Sequence, residues 1–125
     1  LTDVSYYFDF NRWDWGRAVW AKYGARTLIG DPSTDSERME QVSPVTHADR
    51  IKAAVLIAHG GFDQRVPVKN ANVMRAALEK YGKKYEWLLY PEEGHGFNDE
   101  KNMFDYYRHV ELFLKKNLTD PATQQ

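Results

Sequence analysis

Two short apolar runs, each followed by a glycine-containing loop, organise the second half of the chain. Residues 53–58 are continuously apolar, which is typical of a strand covered on both faces, as in parallel sheets flanked by helices. Residues 84–90 end in Trp87-Leu88-Leu89-Tyr90 and predict a second strand. The loops that follow them are His59-Gly60-Gly61-Phe62-Asp63 and Glu93-Gly94-His95-Gly96-Phe97.

Apolar residues recur at helical spacing after each predicted strand. The first stripe predicts a helix over 68–81, with Pro67 at its first position and Gly82 just past its end. The second stripe predicts a helix over 99–117. Strands joined through helices pair in parallel. Two strands are too few for a stable sheet of this kind, so we expect it to continue outside this sequence or in a second copy of the chain.

The first half of the chain gives a less regular pattern. Residues 13–23 have approximately helical spacing, and Gly24 could end that helix. A short helix over 37–42 is predicted between a cap at Asp35 or Ser36 and the break at Ser43-Pro44. We interpret residues 45–52 as a polar approach to the first strand. The first 23 residues also hold eight aromatic rings, which either pack on a sheet or line a pocket for a substrate side chain.

Composition argues against several function classes but does not identify the function. The chain has 125 residues and a net charge of −1, so nothing indicates a nucleic-acid partner or an anionic membrane surface. The longest apolar run is too short to cross a bilayer. Cysteine is absent, which excludes disulfides but leaves the compartment undecided. The four histidines form no His-Glu-x-x-His pattern, so we expect no metal site and no cofactor.

The two loops each carry one residue suited to acid-base chemistry, Asp63 and His95. Both follow strand ends, the edge at which open α/β sheets bind ligands. An aspartate that accepts a hydrogen bond from one imidazole nitrogen fixes the tautomer, while the other nitrogen takes a proton. Taken singly, Asp63 could instead cap its loop, paired with Arg65, and His95 could be a polar residue in a glycine-rich turn. Together they predict the acid-base half of a Ser-His-Asp triad.

The other ionisable residues near these loops have less specific interpretations. We expect His59 to hydrogen-bond within the sheet edge. Glu92 and Glu93 are interpreted as a solvated acidic loop, although one of them could reach a substrate amine.

Four stretches together resemble the end of the catalytic domain of the prolyl oligopeptidase family of serine peptidases. They are Ser43-Pro44, His47-Ala48-Asp49-Arg50-Ile51-Lys52, residues 59–67 and residues 93–97. The resemblance implies an α/β class and the C-terminal portion of an α/β-hydrolase fold over residues 1–118, with parallel strands, flanking helices and an incomplete sheet. Residues 119–125 would be a polar tail.

The resemblance also implies roles for particular residues. Asp63 would be the triad acid, His95 the triad base and a peptide the substrate. Trp15 and Trp20 are the nearest matches to rings that help to form the pocket for the residue before the scissile bond.

One departure from the family pattern concerns the nucleophile. The family carries it in a Gly-x-Ser-x-Gly elbow, and none of Ser5, Ser33, Ser36 and Ser43 has such flanks. The chain starts at Leu1 rather than at methionine, and we expect it to be a piece of a longer protein whose upstream part supplies the serine. Two alternatives stay open: an esterase or lipase-type hydrolase, and an inert fragment that self-associates through its sheet edge.

Overall fold

The structure, a computed structural model, describes residues 2–10 and 19–118. A helical first half leads into two strands that alternate with two longer helices. The elements are α1 (Tyr6–Phe10), a π-helix (Ala21–Ala25) that continues into α2 (Arg26–Leu28), α3 (Ser36–Val42), a 3-10 helix (Pro44–Arg50), β1 (Val55–Gly60), α4 (Lys69–Lys80), β2 (Tyr85–Tyr90) and α5 (Glu100–Leu118).

The two strands pair in parallel, as the order of elements predicts. Their register runs from Val55 opposite Tyr85 to Gly60 opposite Tyr90. The first strand therefore lies two residues further along the chain than the apolar run 53–58 suggested, because His59 and Gly60 complete the ladder with β2. Both strands end at the same level, so the loops that follow them start side by side.

The helix between the strands is shorter at its start than predicted. It begins at Lys69, and Val68 occupies the cap position. Pro67 lies outside the helix and contributes its carbonyl, which accepts the N–H of Asn70 at 2.8 Å. At the other end Gly82 has a φ of 63°, the left-handed conformation that favours glycine after a helix.

The core lies between α4, the 3-10 helix and one face of the sheet. Ala48, Met74 and Leu78 are its buried centre. The prediction that residues 45–52 form a polar approach is wrong, because Pro44–Arg50 is helical. Val45, Ala48 and Ile51 all contribute to the core. The backbone kinks at His47, between Val45 and Ala48, and Ile51 follows the helix in an extended conformation, so packing on the core, not one continuous helical face, brings the three side chains together.

The outer parts of the sheet stay open within the described part of the chain. Every residue of β1 is only half-buried, and α5 has no buried residue. Large apolar side chains on α5 are exposed, namely Phe104, Tyr107, Leu112, Leu114 and Leu118. This arrangement agrees with the predicted incomplete sheet. None of the helices in residues 2–10 and 19–118 is long and apolar enough to span a membrane.

Gly24 does not end a helix, contrary to prediction. It lies inside the π-helix, and the helical path continues to Leu28. A Cβ at Gly24 would lie 2.1 Å from the Cε3 atom of Trp20, so the glycine permits the indole ring to pack across the backbone. Most of the predicted helix over 13–23 falls in residues 11–18, outside the described residues.

Candidate active site

The loops after β1 and β2 are joined through their backbones. Gly61 donates its N–H to the carbonyl of Tyr90 at 2.8 Å, and Phe62 donates to the carbonyl of Glu93 at 2.9 Å. These bonds extend the strand pairing beyond the last residues of the sheet. The two loops therefore form one unit that holds its side chains in a fixed relation.

Two glycines make this close approach possible. Neither Gly60 nor Gly61 has a positive φ; the positive-φ glycines of the described residues are Gly30, Gly82 and Gly96. A Cβ at Gly60 would lie 2.2 Å from the carbonyl oxygen of Gly94, and one at Gly61 would lie 2.7 Å from Cα of Pro91. Glycine is required here because the neighbouring loop occupies the space of a side chain.

The side chains of Asp63 and His95 meet at the rim of the sheet. Nδ1 of His95 lies 2.9 Å from Oδ2 of Asp63. An ionised carboxylate can only accept a hydrogen bond, so Nδ1 carries the proton and Nε2 holds the free lone pair. No group in the described ranges hydrogen-bonds to Nε2, and half of the His95 side chain is exposed. The basic nitrogen is thus available to a reacting group.

Asp63 is 8% exposed and is held by donors on both oxygens. Oδ1 accepts the backbone N–H groups of Arg65 and Val66, each at 2.8 Å. Burial raises the pKa of Asp63, but the hydrogen bonds from Val66, His95 and Arg65 bring that pKa below its ordinary value of 3.8. Asp63 is therefore ionised at neutral pH.

The two oxygens of Asp63 make different contacts, and its role as a triad acid stays a prediction. Oδ1 caps the loop, and Oδ2 orients an imidazole. The expected pairing with the guanidinium of Arg65 is not among the ion pairs of the described residues.

A second imidazole lies beside the same carboxylate. His59, in β1, has Nε2 at 2.7 Å from the carbonyl oxygen of Val66. The same nitrogen is 3.9 Å from Oδ2 of Asp63, too far for a hydrogen bond. Since a carbonyl only accepts, Nε2 of His59 is the donor. This bond ties the end of the Asp63 loop back to the strand from which it started.

The prediction that Glu92 and Glu93 form a solvated acidic loop is wrong for Glu93, which is 2% exposed. Its carboxylate accepts the amide of Asn102 at 2.8 Å and the backbone N–H groups of Asn98 at 2.7 Å and Asp99 at 3.1 Å. Asn102 first, and then Asn98, lower the pKa of Glu93 from its ordinary value of 4.5. A glutamate shortly before a helix start was the available signal, because the first N–H groups of a helix need acceptors.

An open pocket of about 420 Å³ lies beside the pair. Asp63, His95, Phe97 and Tyr106 are among the residues that line it. The ring of Phe97 packs between those of Tyr90, at 5.2 Å, and Tyr106, at 5.1 Å. An apolar wall therefore adjoins the polar pair, as expected of a site that holds an organic substrate.

Of the two tryptophans proposed for substrate binding, the structure describes Trp20, which does not line this pocket. Trp20 is exposed, and its indole N–H donates to the hydroxyl of Tyr7 at 2.5 Å. It is not among the described residues that line the pocket beside His95. Trp15 lies outside the described residues. The role of both rings stays a prediction.

Comparison with known proteins assigns the chain to a family. The sequence profile of the prolyl oligopeptidase family matches residues 4–121. The chain belongs to the prolyl oligopeptidase family. This is a family of serine peptidases, so the motif resemblance seen in the sequence is confirmed over nearly the whole chain.

Relatives of the chain include peptidases and several proteins provisionally named for a different hydrolase reaction. The chain is 34% identical over 94 residues to dipeptidyl peptidase family member 6 of Caenorhabditis elegans, covering 73% of the chain and 13% of that protein. It is 38% identical over 82 residues to a protein of Escherichia coli O157:H7 provisionally named a carboxymethylenebutenolidase, covering 66% of the chain and 28% of that protein. The chain thus spans only a small part of these relatives.

A solved structure shows the same fold. The acylaminoacyl peptidase of Pyrococcus horikoshii superposes with a TM-score of 0.81 at 18% sequence identity, over 97% of this chain and 19% of that one. At this identity the likeness shows the fold alone. The predicted α/β-hydrolase class, with parallel strands and flanking helices, is confirmed.

Proposed function

We propose that this chain supplies the acid and the base of a Ser-His-Asp triad to a serine peptidase that hydrolyses short peptides. The observation that supports this proposal most directly is the 2.9 Å contact between Nδ1 of His95 and Oδ2 of Asp63. The 125 residues contain no Gly-x-Ser-x-Gly elbow, so in this proposal the nucleophilic serine comes from residues outside this sequence. Membership of a serine peptidase family supports the reaction class.

In the proposed mechanism, His95 moves one proton twice. Nε2 accepts the proton of the serine hydroxyl as its oxygen attacks the peptide carbonyl, and the imidazolium then donates that proton to the leaving amine. Asp63 stabilises the imidazolium and keeps the ring in the tautomer that leaves Nε2 basic. The backbone donors on Oδ1 hold the carboxylate in place during both transfers.

The direct test is His95→Ala in the full-length protein, assayed with a peptide arylamide. We expect kcat to fall by about 10⁴- to 10⁶-fold, with the fold unchanged by circular dichroism. His109→Ala is the matched control. In the described part of the chain, the His109 side chain bonds only to Asp105, one turn earlier on α5. Near-normal turnover by His95→Ala would refute the proposal.

A second candidate is ester hydrolysis with the same pair, favoured by the similarity to the enzyme named a carboxymethylenebutenolidase. The acid-base chemistry of Asp63 and His95 serves amides and esters alike. Measuring kcat/KM for a peptide arylamide and for a matched acyl ester separates the candidates. Ester turnover with no measurable amide hydrolysis would replace the peptidase proposal.

For the 125-residue chain by itself, we propose no catalytic activity and self-association through the open sheet. Exposed strand edges and the apolar side chains of α5 favour association. A serine-reactive fluorophosphonate should leave the isolated chain unlabelled, and light scattering should detect oligomers. Labelling would contradict the first part, and a monodisperse monomer the second.

A further inference from the structure

We propose that Glu93 is a positioning residue that fixes the His95 ring by closing the loop 93–98 around it. This inference rests on the proposed function, in which His95 is the base. The residue has no role in the acid-base steps described above, yet its side chain is buried two residues before His95.

The Glu93 carboxylate bonds to residues at the other end of the loop. Its three donors are the backbone N–H groups of Asn98 and Asp99 and the side-chain amide of Asn102. They lie just before α5 or in its first turn. The first N–H groups of a helix have no partner within it, and the helix dipole favours negative charge at that end. The Glu93 carboxylate therefore joins the beginning of the His95 loop to the end of that loop and to the first turn of α5.

The backbone of Glu93 attaches the beginning of the same loop. Its N–H donates to the carbonyl of Tyr90 at 3.1 Å, and its carbonyl accepts the N–H of Phe62 at 2.9 Å. One residue thus connects the end of β2, the loop of Asp63 and the start of α5. His95 lies inside a segment that Glu93 holds at both ends.

The two glycines that flank His95 carry no side chain that could pack against a neighbour. A Cβ built on Gly94 or Gly96 would meet no described atom within 4 Å, and Gly96 has a φ of 145°. Glycines leave the backbone many conformations. The direction of the His95 side chain therefore depends on the anchored ends of the loop, on the packing of the Phe97 ring and on the hydrogen bond to Asp63. The lowered pKa of Glu93 keeps the anchor ionised at neutral pH.

The test compares two Glu→Gln substitutions at the same helix start in the full-length protein. Glu93→Gln places an amide N–H against groups that are themselves donors. We expect kcat for a peptide arylamide to fall by about 10- to 100-fold, since a misplacement of about 1 Å can cost that much, with KM within about twofold. Glu100→Gln removes the same charge from an exposed site in the first turn of α5 and should keep parental kcat.

A spectroscopic readout separates positioning from stabilisation. The Nδ1–H of His95 bonded to Asp63 should give a low-field proton NMR signal, identified by its absence in His95→Ala. We expect this signal to be lost in Glu93→Gln and retained in Glu100→Gln. A purely structural role would lower Tm without moving the signal or kcat in the folded protein.

The outcomes distinguish this inference from the function on which it rests. Normal turnover by His95→Ala overturns both. An inactive His95→Ala together with parental kcat in Glu93→Gln overturns the role of Glu93 alone. If Glu93→Gln does not fold, Asn102→Ala removes one donor and leaves the carboxylate. A few-fold loss of kcat at unchanged KM then supports the inference, and parental kcat overturns it.

Discussion

The loop that carries Asp63 and the loop that carries His95 are held in different ways. Within the first, Asp63 is buried and bonded to two backbone N–H groups of its own loop, and His59 bonds Val66. Within the second, His95 is half-exposed and lies between two glycines at which an added Cβ would meet nothing within 4 Å. Asp63 is fixed by contacts within its own loop, whereas His95 is held by its bond to Asp63 and by contacts at the two ends of its loop.

Among substitutions that compare the two loops, the largest effect is expected from Asp63, which in the proposed mechanism orients His95. In Asp63→Asn, the backbone donors of Arg65 and Val66 keep the remaining oxygen on their side, so the amide N–H₂ faces His95. Nδ1 must then accept, the proton moves to Nε2, and kcat should fall by about 10⁴-fold. Steady-state kinetics on the full-length protein checks this, with the exposed Asp49→Asn as control. A loss below about tenfold would mean that Asp63 does not set the tautomer.

An intermediate effect is expected from adding the same methyl group at Gly60, the last residue of β1, and at Gly94, in the loop of His95. Gly60→Ala would place Cβ 2.2 Å from the carbonyl oxygen of Gly94, and the forced shift should cost about 1–3 kcal/mol of unfolding free energy. Gly94→Ala meets nothing within 4 Å and should change stability by less than about 0.5 kcal/mol. Denaturant unfolding of both variants measures the contrast. Equal losses of unfolding free energy would contradict the difference in space at these two glycines.

The smallest effect is expected from acid, which acts on the carboxylates of both loops. The pKa values of Asp63 and Glu93 lie below their ordinary values of 3.8 and 4.5. A carboxyl with a lowered folded pKa stabilises the fold above its unfolded pKa, and this contribution is lost as pH falls through the folded value. The unfolding free energy should therefore decrease below about pH 4.5.

Glu93→Gln isolates one part of this pH dependence. The difference in unfolding free energy between the parent and this variant should be largest at neutral pH and shrink on acidification. Urea unfolding at a series of pH values measures it. A difference that stays constant across the range would contradict an ionised, hydrogen-bonded Glu93.

The regular elements of the second half could be predicted because their signals are local. The apolar run at 53–58 and the stripe over 99–117 place a strand and a helix within two residues of β1 and α5. The 3-10 helix was missed because Val45, Ala48 and Ile51 are recognised as core residues only from their packing. Gly24 was misassigned because the ring that packs over it, Trp20, is recognised only in three dimensions.

The sequence alone determined which two residues to expect together at the edge of the sheet. Strand ends and the glycines beside them are properties of neighbouring residues, and they singled out Asp63 and His95. The tertiary structure decided how those two are held. The burial of Glu93, its bonds to the start of α5 and the space that Gly60 leaves for Gly94 join residues that are separate in the chain. Such contacts leave no periodic pattern in a single sequence, because each depends on where another loop lies once the sheet has formed.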